Sequence, residues 1–282
     1  MVLSPKTRQF YRAKARVAKR YSSDLTEQEW EVIRPLLPPQ PQGRGRKREV
    51  DEREILNGIF YQLHNGCIWS DLPKDLPAWQ TVYKYFRRWQ RKGVWQQIHD
   101  QLRQSVRVSV GKNPHASAGS IDSQTVKNDG KKGEVYGFDG GKLIKGRKRF
   151  ILVDTLGLLI SVLVINANCS EQKGGMFVVH EMAQADAETL RLIWVDQGYQ
   201  GENFARVVEQ LCGATVEVVK RTEAGFVVLP KRWIVERTFA WLSQNRRLSK
   251  DYELLPEMSE AMIQAAMIRL MLQRLGEQQE VI

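Results

Sequence analysis

Cysteine is scarce in this sequence, with only three among 282 residues. Cys67, Cys169 and Cys212 are far apart and include no Cys-x-x-Cys pair. Neither a disulfide framework nor a structural zinc site is therefore expected, and a reducing cytoplasm is the compartment that fits best.

Histidine and long apolar runs are also in short supply. The most apolar stretch, residues 150–167, is interrupted by Asp154 and Gly157 and predicts two strands rather than a membrane span. The N-terminus is basic and has no apolar segment, so no secretory signal is expected. Ser120 and Ser123, which flank Asp122 closely, predict no hydrolase triad. The scattered histidines are interpreted as surface or packing residues: His64, His99, His115 and His180.

Positive charge, in contrast, is abundant. Lys and Arg number 43 against 32 Asp and Glu, a formal net charge of +11. This balance favours a polyanionic partner, although a soluble protein that is merely basic has the same composition. Residues 1–20 carry seven of the basic side chains and no acid. This arm is either a solvated tail or a phosphate-binding segment, and it can be both.

The pattern of residues 21–112 predicts a helical region. Thr26 and Glu29 have the spacing of a capping box, and a second helix is expected between Asp51 and Gly66. The linker between these two helices, PPQPQGRGRKR, is strongly basic at its end. A third helix, WQTVYKYFRRWQRKG, has aromatic rings at helical spacing with basic residues between them, and a fourth helix follows.

The rings of the third helix are interpreted as the core of a small bundle, which would direct the interleaved basic side chains outward to DNA. Helix, turn and helix in a basic context favour a helix-turn-helix-like DNA-binding region, although many helical bundles share this pattern. The predicted DNA contacts of this region are Arg44, Arg46, Lys47, Arg48, Lys84, Arg87 and Arg88.

The segment GKNPHASAG is a candidate domain boundary, and the spacing of the apolar residues changes after it. Strands are predicted within ASAGSIDSQTV, RKRFILVDTLG, LLISVLVINAN, RLIWVDQG and ATVEVVK, with a helix after each of the last three. This β-β-β-α-β-α-β-α order is that of a ribonuclease H-like α/β domain. Residues 117–282 are therefore expected to form this domain and to end in a further helix.

Three acidic residues occupy suggestive positions on the predicted domain. Asp122 lies in the first strand, Asp196 ends the strand RLIWVDQG, and Glu236 lies in the helix KRWIVERTFAWLSQNRRL. A charge at the end of an apolar strand is costly to bury unless it is compensated. Each acid alone is more simply a turn residue or a helix cap, but the three together favour a functional site. Asp154 is the main competitor for the first acidic position.

Three carboxylates on one such fold suit phosphodiester cleavage, which requires an activated water or hydroxyl and relief of charge on the leaving oxygen. Two Mg²⁺ or Mn²⁺ ions about 3.5–4 Å apart supply both. Hard cations of this kind prefer carboxylate oxygens. Asp122, Asp196 and Glu236 are therefore predicted to be catalytic and to hold the metal, with two ions expected.

The helix of Glu236 carries a stripe of polar or small residues at helical spacing, formed by Arg232, Glu236, Ala240, Ser243 and Arg247. Arginine beside a carboxylate suits phosphate handling. The basic run at residues 142–149 is either a solvated hairpin or a further DNA contact. The predicted DNA contacts of this domain are Lys127, Lys145, Arg147, Lys148, Arg232 and Arg247.

Longer motifs are more specific than the single acids: LTEQEWEVIRPLLP, RGRKREVDEREILNGIFYQLHNGCIWSDLP, IDSQTVK, KLIKGRKRFILVDTLG, VDQGYQG and WIVERTFAWLSQNRRL. Together they resemble the IS5-type branch of the IS4/IS5 insertion-sequence transposases over nearly the whole chain. The resemblance implies a bacterial, nucleoid-associated DDE transposase that binds the terminal inverted repeats of its element and cleaves and rejoins double-stranded DNA. It also assigns the family's acidic trio to Asp122, Asp196 and Glu236.

Two features depart from that family. In the related Tyr-Arg-Glu-Lys signature, Arg232 and Glu236 match, but Leu229 stands at the Tyr position and Ser243 at the Lys position. Arg247 could supply the missing positive charge. The last two acids of the trio are 40 positions apart (236 − 196), which leaves no room for the large β-insertion of some IS4 relatives.

Two rival functions stay open on this evidence from sequence. A ribonuclease H-like nuclease or resolvase without strand transfer has the same trio, and a catalytically inactive DNA-binding derivative can keep its acids. A transposase must cut both ends of its insertion sequence together, so we expect a homodimer or a larger assembly on DNA. The Met-rich helix at residues 256–275 is a candidate surface for it, although the simpler expectation is that this helix packs on the sheet.

Overall fold

The computed structural model describes four segments of the chain: residues 20–39, 50–128, 135–219 and 230–279. The predicted basic arm lies outside these segments up to residue 19. Predicted DNA contacts that also lie outside the described residues are Arg44, Arg46, Lys47, Arg48 and the side chain of Arg232. In the described part of the chain, no helix is both long and apolar enough to cross a membrane.

The described N-terminal region contains four helices: α1 (Glu27–Ile33), α2 (Glu52–Asn65), α3 (Trp79–Arg91) and α4 (Val94–Ser109). The predicted capping box begins α1. The Thr26 hydroxyl accepts the Glu29 backbone N–H at 3.1 Å, and the Glu29 carboxylate accepts the Thr26 N–H at 2.7 Å. Asp51 caps α2, and Gly66 ends it in the left-handed conformation, as predicted.

The aromatic residues of α3 build the core of this region, which confirms their predicted role. Tyr85, Phe86 and Trp89 are buried. The Trp95 ring of α4 contacts Phe86 and Trp89 at centroid distances of 5.5 and 5.4 Å. The Trp95 indole N–H donates to the Phe86 carbonyl at 3.2 Å, which satisfies a buried donor. Packing of these large rings sets the rotation of α3 and leaves Lys84 exposed.

The strands that the structure describes form a single sheet: β1 (Ala118–Lys127), β2 (Gly137–Asp139), β3 (Ile144–Asp154), β4 (Leu159–Asn166), β5 (Leu192–Val195) and β6 (Thr215–Val218). β3 lies antiparallel to β1 on one side, and β5 lies parallel to it on the other. β4 extends the sheet beyond β3, and β6 extends it beyond β5. This order confirms the ribonuclease H-like fold class. Only the short β2, paired with the start of β3, adds to the predicted strands.

Both faces of the sheet are covered by helices: α5 (Glu171–His180), α6 (Gln184–Ala187), α7 (Glu202–Cys212), α8 (Pro230–Ser243) and α9 (Pro256–Gln279). α5 and α7 share one apolar core with Phe150 and Leu152 of β3. α8 and α9 share the other core with Ile151 and Val153. Alternation along β3 therefore divides the apolar residues of one strand between two layers.

The C-terminal helix α9 is enclosed by other elements of the chain. Met258, Met262, Met267 and Met271 are all buried. α9 contacts α1, α2 and α4 of the helical region as well as β4 of the sheet. The interpretation of this helix as an assembly surface is therefore corrected, because its apolar side chains are already covered within one chain. The simpler expectation, that the helix packs internally, agrees with the structure.

Buried ion pairs also join the helical region to the sheet domain. Arg103 of α4 makes two hydrogen bonds to the Asp186 carboxylate, at 3.0 and 2.5 Å. Arg107 of α4 donates to the Asp154 carboxylate at 2.5 Å, at the end of β3. Because α9 completes the core of the N-terminal helices, a fragment of residues 1–112 would lack part of its own core. A test of DNA binding by this region therefore requires the whole chain.

We expect Asp154→Ala to lower the free energy of unfolding by about 3–5 kcal/mol, because it leaves the Arg107 guanidinium buried without its carboxylate. The same carboxylate accepts the backbone N–H groups of Leu156 and Leu158, at 2.8 and 2.9 Å, and these bonds would be lost as well. Urea unfolding measures the change. Asp122→Ala is the control and should unfold near the wild-type midpoint. Wild-type stability of Asp154→Ala would contradict this structural role.

Candidate active site

Asp122 lies in β1, and Asp196 directly follows the neighbouring parallel strand β5. The last backbone partners of β1 and β5 are Ser120 and Trp194. Continuing this register by two residues sets Asp196 beside Asp122, and Asp196 keeps an extended backbone with φ −84° and ψ 180°. Adjacent strands lie about 4.8 Å apart, so the two carboxylates start from neighbouring Cα positions.

Both aspartates belong to the face of the sheet that α8 covers. Asp122 pairs with Ile151 across the β1–β3 ladder, and ladder partners point to the same face. Ile151 lies in the same apolar core as Val235 of α8. On β5, Val195 lies in the opposite core, so its neighbour Asp196 points to the α8 side.

Glu236 lies on α8, which contacts β1, β3 and β5. The Thr238 hydroxyl donates to the Gly157 carbonyl at 2.7 Å and the Arg237 guanidinium donates to the Leu156 carbonyl at 2.9 Å, which fastens α8 to the β3–β4 turn. The Glu236 side chain is exposed. Within the described residues, no three His, Cys, Asp or Glu side chains are close enough together to hold a metal ion. Glu236 therefore belongs to the helix that covers the face of the sheet carrying the two aspartates.

The donor set nevertheless fits a divalent metal, because carboxylate oxygens are the ligands that hard cations prefer. One oxygen of each aspartate is held by the backbone. Asp122 Oδ1 accepts the N–H of Ser123 at 2.7 Å, and Asp196 Oδ1 accepts the N–H of Gly198 at 2.9 Å. These bonds restrict the rotation of both side chains.

Tyr199 lies within electrostatic reach of both aspartates. Its ring is buried, and its hydroxyl donates to Glu171 Oε2 at 3.0 Å. Burial raises the pKa of Tyr199 well above its usual value, and the negative charges of Glu171, Asp122 and Asp196 raise it further. The charges of Asp122 and Asp196 therefore both act on the buried hydroxyl of Tyr199.

Asp154, the competing acid, is engaged in structural contacts. It is fully buried at the end of β3. One of its oxygens accepts from Arg107, and the other accepts the backbone N–H groups of Leu156 and Leu158. These contacts stabilise the turn between β3 and β4 and support the structural interpretation of this residue.

Several of the predicted DNA contacts are accessible. Lys84 of α3, Lys127 of β1 and Lys145 of β3 are exposed. Arg87 and Arg88 are half-buried, with their guanidinium groups over tyrosine rings of α3 at 5.8 and 5.4 Å from the ring centres. The described basic residues therefore offer one surface on the helical region and another beside the sheet.

Arg147 and Lys148 are directed into the protein instead. Arg147 is fully buried, 3.2 Å from the Asp251 carboxylate, and donates to the Leu254 carbonyl at 2.7 Å. Lys148 is buried on the other face, with its Nζ 3.2 Å from the Glu171 carboxylate. The prediction that these two side chains contact DNA is corrected, because strand alternation places them in the two covered layers.

Arg247 is also enclosed. α8 ends at Ser243, and Arg247 lies in the 3-10 turn that follows. It is buried, with its guanidinium 2.7 Å from the Glu253 carboxylate. Because the helix ends before Arg247, this residue does not continue the polar stripe of Glu236. Its predicted contact with DNA, and its use as a replacement for the missing lysine, are corrected accordingly.

Glu171 is absent from the predicted site but lies close to it. Its carboxylate accepts hydrogen bonds from the Ser123 and Tyr199 hydroxyls at 2.7 and 3.0 Å. In the sequence this residue is simply an acid that follows the helix cap Ser170, and acids are favourable at helix N-termini for electrostatic reasons alone. Its contact with neighbours of both aspartates arises only when α5 packs on the sheet.

Two families match the chain in their sequence. The family described as "Transposase DDE domain" matches residues 113–271, which is more than half of the chain. The family described as "Putative transposase of IS4/5 family" matches residues 25–99. The first match covers the sheet domain with most of α9, and the second covers the helical region as far as the start of α4.

The chain is also similar to two proteins of Burkholderia cepacia. It is 31% identical over 109 residues to "Insertion element IS402 uncharacterized 16.2 kDa protein", which covers 36% of this chain and 72% of that relative. It is 27% identical over 114 residues to "Putative transposase for insertion sequence element IS402", which covers 38% of this chain and 54% of that relative. The chain therefore belongs to the DDE transposases of the IS4/IS5 group, metal-dependent enzymes that cleave DNA and transfer its strands.

Proposed function

We propose that this chain binds the terminal inverted repeats of its own insertion sequence, cleaves the DNA there and joins the ends to target DNA. Asp122, Asp196 and Glu236 are proposed as the metal-holding trio, with two Mg²⁺ or Mn²⁺ ions as the cofactor. The observation that carries the proposal is the placement of the two aspartates two residues beyond the last paired residues of β1 and β5, on the face of the sheet that the helix of Glu236 covers.

The protein contributes the placement of the carboxylates. In this proposal, Asp122 and Asp196 would present oxygens to the metal from the sheet, and Glu236 would present its oxygens from α8. Metal ions held by these carboxylates would supply activation of the attacking water or hydroxyl and relief of the charge on the leaving oxygen. The N–H groups of Ser123 and Gly198 each hold one aspartate oxygen, so the two side chains are oriented before substrate arrives.

The exposed lysines support contact with a duplex on two surfaces. Lys127 lies five residues beyond Asp122 on β1, roughly 17 Å along an extended strand. Lys145 lies beside it on β3, near the partner of Lys127 in the ladder. Lys84 and the neighbouring arginines of α3 form the second surface, on the helical region. We propose that the helical region contacts the end sequence and that the lysines of the sheet hold the phosphates near the scissile bond.

Alanine in place of Asp122, Asp196 or Glu236 is expected to abolish Mg²⁺-dependent cleavage, because the loss of one carboxylate removes ligands from the metal. Binding of the same DNA should remain largely intact. The purified protein is incubated with Mg²⁺ and the genomic DNA that flanks its gene, and the cut DNA ends are then mapped. Joined products on a supercoiled target identify strand transfer, whereas cut ends alone identify a nuclease.

The matched control for this experiment is Glu202→Ala, which removes an exposed carboxylate at the start of α7, behind the sheet. This variant should cleave at the wild-type rate. Cleavage near the wild-type rate by Asp122→Ala would contradict the proposed trio.

Removal of the basic side chains Lys84 and Arg88 together is expected to weaken DNA binding, most strongly at low salt. If each side chain neutralises one phosphate, the slope of log affinity against log salt should fall by about 2. Fluorescence anisotropy of labelled end DNA with the full-length protein measures both quantities. The control is Arg206→Ala, an exposed arginine of α7 behind the sheet. Equal salt slopes for the double variant and the control would show that α3 does not contact phosphate.

We also propose that the active species contains at least two chains on DNA, because two element ends must be cut and joined together while each chain carries one trio. The burial of α9 leaves the N-terminal region or the DNA itself to hold the assembly. Light scattering of the protein with paired end DNA should give two or more chains in each complex. A fully active complex with one chain would refute this part of the proposal.

A further inference from the structure

The backbone ladder between β1 and β5 ends before it reaches the two aspartates. Its last partners are Ser120 and Trp194, and each acid lies two residues further along the chain. Two like charges at neighbouring positions repel each other and favour separation of the strand ends. The alignment of Asp122 with Asp196 therefore needs support from contacts other than this ladder.

Glu171 bridges the chain segments of both acids at this level. Its Oε2 accepts a hydrogen bond from the Ser123 hydroxyl at 2.7 Å and another from the Tyr199 hydroxyl at 3.0 Å. Ser123 directly follows Asp122 on β1. Tyr199 ends the 3-10 turn whose N-cap is Asp196. One carboxylate oxygen thus joins the residue after the first acid to the turn that begins with the second.

The other oxygen of Glu171 is held by β3. The Lys148 Nζ lies 3.2 Å from Oε1 and 3.6 Å from the Asp139 carboxylate, and Lys148 is 5% exposed. Glu171 therefore contacts three segments of the sheet region, on β1, on β3 and after β5. The buried ammonium also balances a negative charge that would otherwise lie behind the two aspartates.

Close packing of α5 on the sheet brings Glu171 within hydrogen-bond distance of these partners. Glu171 begins this helix, directly after the cap Ser170. One turn later, Gly175 lies against Tyr199, where a Cβ on the glycine would come within 2.8 Å of the tyrosine ring. The absence of a side chain at this position lets the helix approach the sheet closely.

We infer that Glu171 is a positioning residue, which keeps Asp122 and Asp196 aligned through Ser123 and Tyr199. It lies on the opposite face of β1 from Asp122, because Ser123 and its ladder partner Phe150 point to the α5 side. Its three hydrogen-bond donors come from the protein, so it acts through the aspartates rather than as a ligand of the metal. The inference rests on the proposed role of the two aspartates in metal binding.

The experiment measures Mn²⁺ binding to the full-length protein, with free Mn²⁺ followed by electron paramagnetic resonance. The variants are Glu171→Ala, Tyr199→Phe and the double variant Ser123→Ala/Tyr199→Phe. We expect the affinity of Glu171→Ala and of the double variant for Mn²⁺ to fall about tenfold, since loss of residues that orient ligands typically costs 10–100-fold. Cleavage by these variants should need correspondingly more Mn²⁺ and should recover when Mn²⁺ is raised, which a merely unstable protein would not show.

A matched control is Tyr21→Phe, because the Tyr21 hydroxyl also donates to a carboxylate, that of Asp75, at 2.7 Å but in the helical region. Its Mn²⁺ affinity should equal that of the wild type. If Glu171→Ala does not fold, Tyr199→Phe and the double variant decide the question. The losses of Mn²⁺ affinity in these two variants should also be non-additive with the loss in Glu171→Gln, as expected for contacts that act through one carboxylate.

Wild-type Mn²⁺ affinity in the folded Ser123→Ala/Tyr199→Phe variant would overturn the inference. If Asp122 and Asp196 do not bind the metal at all, the experiment gives a different result. In that case Asp122→Ala and Asp196→Ala would themselves bind Mn²⁺ as the wild type does, and the metal site and its positioning residue would both be rejected.

Discussion

Repulsion between two carboxylates on neighbouring strands is the constraint on which the candidate site depends. Asp122 and Asp196 follow the last paired residues of β1 and β5, where the backbone ladder no longer holds the strands together. The surrounding layers compensate for this. α5 lies against the strands from one side, and α8 is fastened from the other side through Thr238 to the turn after β3. The face of the sheet that carries the two aspartates is therefore supported by the layer behind it.

Burial of basic side chains is the second feature that organises the fold. Arg103, Arg107, Arg147 and Arg149 are all buried, and each connects separate elements of the chain. Arg149 donates to the carbonyls of residues 248 and 250 at 2.8 and 3.0 Å, and burial lowers its pKa to about 10. The count of 43 Lys and Arg thus overstates the number of basic side chains at the surface, because some of them serve as internal cross-links.

The C-terminal helix α9 makes the helical region and the sheet domain one folding unit. It fills the core between α1, α2 and α4 and also packs on β4. Arg269 of this helix pairs with Glu29 of α1 at 2.7 Å, across nearly the whole length of the chain. The helical region is therefore packed directly, through α9, onto the sheet domain that carries the aspartates.

The sequence by itself determined the order of the elements, because caps such as Thr26 with Glu29 and the alternation of apolar residues in strands are local properties. It also indicated Asp122 and Asp196, since charges within or directly after apolar strands are unusual there. Only the tertiary structure decided which charges meet. Lys145 and Arg147 belong to one basic run, but helices cover both faces of β3 and enclose the second of them. Contacts between residues distant in sequence arise from packing, and local patterns do not encode them.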